Sequence, residues 1–232
     1  MSTPPLIAHV IHHLVIGGME NGLVNLINRI PADRYRHCVI CIEDFSNFRE
    51  RIRRPDVEVL AMHRSSLGTL ALYRRLYALF RVLRPAIVHS RNLSGLDALL
   101  PAAVSRVPHR IHGEHGWDVT DIAGASPKMR MLKRLHSPLV ERYVTVSQDL
   151  ARYLHDRVGI PARRITQIYN GVDTALFAPD DSTCDALLPE ALRGDDKVIV
   201  GTVGRLQPVK DQLALVRAFA RMLRTFCAFG VE

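Results

Sequence analysis

The stretch Val15–Ile30, VIGGMENGLVNLINRI, sets two glycines between an apolar run and a helix-like pattern with Leu23, Ile27 and Ile30 on one face. Gly17-Gly18 admits two readings. One is a tight strand-to-helix turn that uses small residues for geometry alone. The other is an anion cradle, in which amides at a helix N-terminus meet a phosphate or a sugar. The spacing Gly17-Gly18-x-x-x-Gly22 is neither the dinucleotide fingerprint nor a P-loop. Two more polar clusters could serve a ligand: His89, Arg91 and Asn92 in VHSRN, and Glu114, His115 and Asp118 in GEHGWD. A single strand-end histidine is readily a satisfied structural residue. Several clusters at corresponding positions point to a site.

Metal chemistry finds little support. Eleven histidines are present, but no H-E-x-x-H or comparable ligand spacing, and no D-x-D. Cys38 and Cys41 resemble a C-x-x-C pair, yet RHCVICIE reads as a strand. Residues three apart on a strand point to opposite faces, so the two thiols belong to the core and share no metal. Four cysteines are also too few for a disulfide scaffold.

The elements that must position these groups alternate along the chain. Strand patterns fall at 6–12, 37–42, 57–61, 86–89, 109–113, 141–146 and 164–168, with helical patterns at 18–30, 67–83, 94–105, 128–138 and 147–157. Such alternation argues for a doubly wound, mainly parallel α/β sheet with helices on both faces. Ligands gather beyond the carboxyl ends of such strands, which puts the glycine turn and both polar clusters on one rim. After Asp173 the pattern lapses into a Pro-, Asp- and Gly-rich linker. KVIVGTVGRL then starts a second buried strand, with a helix from about 209 to 223. The expected organisation is a first domain over 1–178, a linker over 179–196 and the start of a second Rossmann-like domain over 197–232.

Composition bounds the partners. Hydrophobic residues make up 47% of the 232 and charged residues 23%, an ordinary balance with enough apolar side chains for a core. No apolar run reaches the roughly 18 residues of a membrane span. Residues 1–16 lack the basic start and cleavage site of a signal peptide, so the expected location is cytoplasmic. A formal charge of +8 permits acidic partners. The arginines are scattered along helices without interleaved aromatics, which argues against nucleic acid and leaves peripheral contact with an anionic inner membrane face, or a merely solvated surface.

The Gly-Gly turn, GEHGWD, YVTVSQ, IYNGVD and above all VGRLQPVKD resemble the retaining glycosyltransferases of the GT-B fold, family 4. The likeness is closest to the sugar transferases of exosortase-associated (PEP-CTERM) exopolysaccharide clusters, and it covers residues 6–224. It implies a GT-B-like protein that transfers a sugar from a nucleotide-sugar donor to a saccharide or lipid-linked acceptor, with retention and without metal or other cofactor. On this resemblance Gly17 and Gly18 approach the donor phosphates, where a side chain would hold the backbone amides away. Arg205 and Lys210 match the cations on the donor diphosphate, which gains negative charge as the sugar–phosphate bond breaks. His115 matches the active-site histidine, to orient a sugar hydroxyl or stabilise developing charge. Asn92 and Glu114 fall on the acceptor or sugar side, and Asn170 and Gly171 at the interdomain cleft.

The sequence departs from the family in one respect. The family's Glu-x7-Glu element, which grips the donor sugar and ribose and lies beyond the G-R-L motif, has no counterpart after residue 205. The expectation is a truncated, poorly active chain, and the alternative is a non-catalytic acceptor- or membrane-binding module.

Overall fold

The computed structural model describes residues 3–117, 121, 124–179, 188–190, 198–204, 206 and 210–228. An inner strand, β1 (Leu6–Ile11), reads LIAHVI and is buried at all six positions. A strand with both faces covered must be apolar nearly throughout, and only His9 breaks the run. β2 (Arg36–Cys41) repeats the pattern, with RHCVIC buried beyond its first residue. β3 (Glu58–Ala61), β4 (Ile87–Arg91), β5 (His109–Glu114), β6 (Arg142–Thr145) and β7 (Ile165–Gln167) complete a sheet of order β3-β2-β1-β4-β5-β6-β7. Every pairing in it is parallel. The winding direction reverses between β1 and β4, which opens a crevice at their carboxyl ends.

Alternate residues of β2 enter different layers. Cys38 and Ile40 pack with Leu72, Leu76 and Phe80 of α2 (Thr69–Leu83), whereas Val39 and Cys41 pack with Leu23, Val24 and Ile27 of α1 (Gly18–Arg29). The two cysteines thus lie on opposite faces, as the strand period requires. Burial pushes both thiols up to about 12. A third cluster joins Leu99 of α4 (Leu99–Val104) to Tyr143, Tyr153 and Leu154.

The helical pattern at 94–105 is not one helix. It divides into α3 (Asn92–Gly95), a 3-10 turn at Leu96–Ala98 and α4. Pro101 has no amide for the carbonyl of Asp97 and its ring crowds that oxygen, so a continuous helix cannot pass. Further along lie α5 (Pro127–His136) and α6 (Gln148–Arg152), the latter continuing as a π-helical segment over Tyr153–Val158.

The chain divides after Gly171 into two units. In the second, the expected strand is corrected. Residues 198–203 form no strand, and Val198, Val200 and Val203 are exposed. A β-rich run needs a ladder partner, and none pairs with it among the described residues. The helix that follows, α7 (Gln212–Ala228), starts three residues later than its apolar pattern. Asp211 caps it, its Oδ1 accepting from the Ala214 amide at 3.2 Å. The expected linker at 179–196 lies largely outside the described residues.

Phe80 is 1% exposed on the inner face of α2. Phe80→Ala is expected to lower unfolding stability by about 3–5 kcal/mol, read from the urea midpoint at constant slope. A loss below about 1 kcal/mol would show that α2 does not close this face.

Candidate functional site

α1 begins without a side-chain cap at Gly17, so its first amides face the crevice. Neither glycine is demanded by backbone geometry. Gly17 is extended, at φ −169°, a conformation open to any residue, and Gly18 is helical. A Cβ on Gly18 would meet nothing within 4 Å, and one on Gly17 would meet only the movable carboxylate of Glu20. The tight-turn reading therefore has no steric basis here. The glycines add no side chain of their own at the helix start, where the movable Glu20 carboxylate folds back against Gly17.

The crevice gathers three strand ends. Asn92, directly after β4, takes a left-handed conformation with φ 51° that asparagine tolerates well. From there its Oδ1 accepts the His115 amide at 2.8 Å, and its Nδ2 donates to Met19 Sδ at 3.6 Å. One side chain thus ties the β5 loop to the start of α1. His115, Asn92 and the glycine turn lie together at the carboxyl ends of β5, β4 and β1.

Burial first, then the charge of Arg91, lowers His115 to about 4, so its ring is neutral at pH 7. Its Nε2 is buried with no hydrogen-bond partner among the described residues. Gly113 makes room for it. A Cβ there would stand 2.5 Å from His115 Nε2 and 3.1 Å from His89 Nε2.

Glu114 faces the other layer. It is 2% exposed, 2.6 Å from Lys133 Nζ and 3.6 Å from His112 Nε2. Burial alone would raise its pKa, but His112 and Lys133 outweigh it and hold the carboxyl at about 2. Its charge is thus already compensated from within the fold. Glu114 and Asn92 both line a pocket walled by Trp117, Met129, Lys133, Leu150 and Tyr153. Trp117 and Tyr153 meet edge to face at 5.1 Å there.

Asn170 and Gly171 are exposed in the loop beyond β7. Lys210 is exposed just ahead of α7, while Arg205 and Asp118 lie outside the described residues. The sequence reading passed over His9, His37, Lys133 and the Trp117–Tyr153 pair. His9 and His37 carried a signal, being polar residues inside otherwise apolar strands. Lys133 carried none, because its partner is set by the packing of α5. Among the described residues no three metal-ligating side chains converge. No helix among them is long and apolar enough to cross a membrane.

A doubly wound parallel sheet whose switch point carries an uncapped helix start, a bridging asparagine and a neutral histidine is a Rossmann-like domain. The chain belongs to Glycosyltransferase Family 4, whose family model matches residues 16–176. The Bacillus subtilis (strain 168) protein named as the glycosyltransferase EpsF is 24% identical over 95% of this chain and 59% of its own length. The D-inositol 3-phosphate glycosyltransferase of Geodermatophilus obscurus is 39% identical over 36% of this chain and 18% of its own. Among solved structures, Anabaena Alr3699/HepE in complex with UDP and glucose superposes with a TM-score of 0.62 at 19% identity, covering 79% of this chain and 49% of that one. A glycosyltransferase from Rickettsia africae ESF-5 gives 0.60 at 15%, covering 82% and 48%. The fold is thus GT-B-like, and the chain spans about half the length of these solved relatives.

His9, His37, His89 and His115 all titrate below 6.5 in the folded state, chiefly through burial. The unfolded chain, with histidines near 6.5, binds more protons as the pH falls below that value. Stability present at pH 7 is therefore lost as pH drops from 6.5 towards 4, by about 1.4 kcal/mol per pH unit for each histidine titrating. Urea midpoints between pH 6.5 and 4.5, above the range of ordinary carboxylates, measure this. A flat profile would contradict neutral burial of the four rings.

Proposed function

We propose that the chain forms the acceptor-side domain of a retaining, metal-independent transferase that moves a sugar from a nucleotide-sugar to a saccharide or lipid-linked acceptor in exopolysaccharide assembly. The observation that carries the reading is the bare start of α1. Two adjacent glycines that neither backbone nor packing requires leave amides and the positive helix end open to a ligand once the Glu20 carboxylate resting against Gly17 swings aside. Family membership and a UDP- and glucose-bound structural relative support a nucleotide-sugar as that ligand.

In this reading the Gly17–Gly18 amides meet the donor phosphate and sugar. His115, neutral, hydrogen-bonds the reacting sugar, and the departing diphosphate takes the acceptor proton as substitution proceeds on one face. Arg205 and Lys210 provide the cations that the growing diphosphate charge requires. The Asn92–Glu114 pocket, with its Trp117 and Tyr153 rings, receives the acceptor. Asn170 and Gly171 border the donor side.

The test separates function from folding. Wild-type chain is incubated with UDP- and GDP-sugars and saccharide acceptors, and nucleoside diphosphate release is measured. Gly18→Ala, placed where a Cβ meets nothing, is expected to leave Tm unchanged or slightly raised. It should lower turnover by about tenfold or more, the scale of one lost hydrogen bond of about 1.4 kcal/mol. His115→Ala and Lys210→Ala should each lower it by roughly 10²–10³-fold. Full transfer by Gly18→Ala would defeat the cradle.

A peripheral membrane contact has its own support. Met131 and Leu135, one turn apart on α5, are both exposed, beside exposed Lys128 and Arg134. Such a face suits an anionic bilayer surface. Sedimentation with anionic vesicles should fall as salt rises and fall further in Met131→Glu. Equal binding to zwitterionic vesicles would argue against it.

A further inference from the structure

Four histidines form a row across the sheet. The ring centroids of His37 and His9 lie 5.2 Å apart, those of His9 and His89 6.0 Å, and those of His89 and His115 6.4 Å. Arg91 enters the row beside His9 and His89. It is 3% exposed, and no carboxylate forms an ion pair with it among the described residues. Its Nη1 donates to His9 Nδ1 at 3.3 Å and to the His89 carbonyl at 3.4 Å, and its Nη2 donates to His89 Nδ1 at 3.2 Å.

A guanidinium has donors and no acceptor. Any imidazole nitrogen facing it must present a lone pair. His9 and His89 therefore lack a proton on Nδ1 and, being neutral, carry it on Nε2. His9 Nε2–H donates in turn to His37 Nδ1 at 2.9 Å, which puts the His37 proton on Nε2 as well. His89 Nε2–H lies against Gly113, where His115 Nε2 also lies. Neither Nε2 has a hydrogen-bond partner among the described residues. Protons on both would aim two N–H dipoles at one glycine, and a neutral His115 ring with its proton on Nδ1 avoids this by presenting a lone pair there.

We infer that Arg91 is a positioning residue that fixes His9, His37 and His89 as Nε2–H tautomers and, through His89, leaves His115 as a hydrogen-bond donor whose lone pair is turned into the sheet. A general base must offer its lone pair to the ligand. This ring offers a proton instead, which suits stabilising negative charge and not removing a proton from the acceptor. That functional meaning rests on the transferase reading; the tautomers do not. Neutrality of the row is consistent with its surroundings. Burial and then Arg91 hold His9 and His89 well below their ordinary value. For His115, burial, Arg91 and His112 act downward and Glu114 upward.

The test uses the whole chain with 15N-labelled histidine at pH 7. Long-range 1H–15N correlations report which ring nitrogen carries each proton, and single His→Gln variants assign the eleven rings. The expected result is Nε2–H for His9, His37 and His89, and Nδ1–H for His115. A proton on Nδ1 of His9 or His89, on Nε2 of His115, or on both nitrogens of any of them overturns the inference. In Arg91→Met the His115 titration should move up by roughly one unit, the scale of a removed neighbouring charge. It should remain below 6.5, because burial persists, and Arg91→Lys should restore the lower value. An unchanged His115 tautomer and titration in Arg91→Met also overturns it. If Arg91→Met does not fold, the wild-type tautomers decide alone. No readout involves sugar transfer, so the two readings can fail separately.

Discussion

The parallel pairing of β1 with β4 decides where everything else lies. With Val10 opposite Ser90, it sets the end of β1 beside the end of β4, and the connections leaving the two strands diverge. Chain leaving β1 rises into α1, and chain leaving β4 turns through Asn92 into α3. Between them remains a gap that no backbone can fill. The bare helix start, the asparagine bridge and the histidine after β5 are three ways of lining that gap.

A charge under such a gap needs solvation that water cannot supply. A buried cation is ordinarily paired with a carboxylate. Arg91 is instead held by lone pairs of two neutral imidazoles and by a carbonyl. The nearby layer solves the opposite problem in the ordinary way, with Lys133 set against Glu114. One face of the β4–β5 pair is thus charge-compensated, and the other carries Arg91 without a carboxylate partner among the described residues. An anionic ligand at the strand ends would meet the uncompensated side.

Much of this was legible in the sequence because parallel strands announce themselves. All seven strands of the sheet lie within a residue or two of their apolar runs, since burial on both faces leaves few polar positions. The run at 198–203 has the same composition and forms no strand, because composition records a tendency to pair and not the presence of a partner. Gly17, Asn92 and His115 were recognisable as strand-end residues. The histidine row was not, because it depends on neighbouring strands 28 to 82 residues apart coming into register. Glu114 was recognisable as a polar residue in the right place, but its partner Lys133 is set by the docking of α5. Arg205 lies outside the described residues, and the cation pair rests on family resemblance.

Gly113 gives the domain an uneven tolerance to genetic change. Any missense change at its codon adds a Cβ, and the first atoms that Cβ meets are the ring ends of His115 and His89, not backbone. Rings can rotate away where a backbone could not. Variants at this position would therefore tend to be inherited as folded, abundant protein with a displaced histidine. Abundance measurements would score such alleles as harmless, and only an assay of the site itself would reveal the defect.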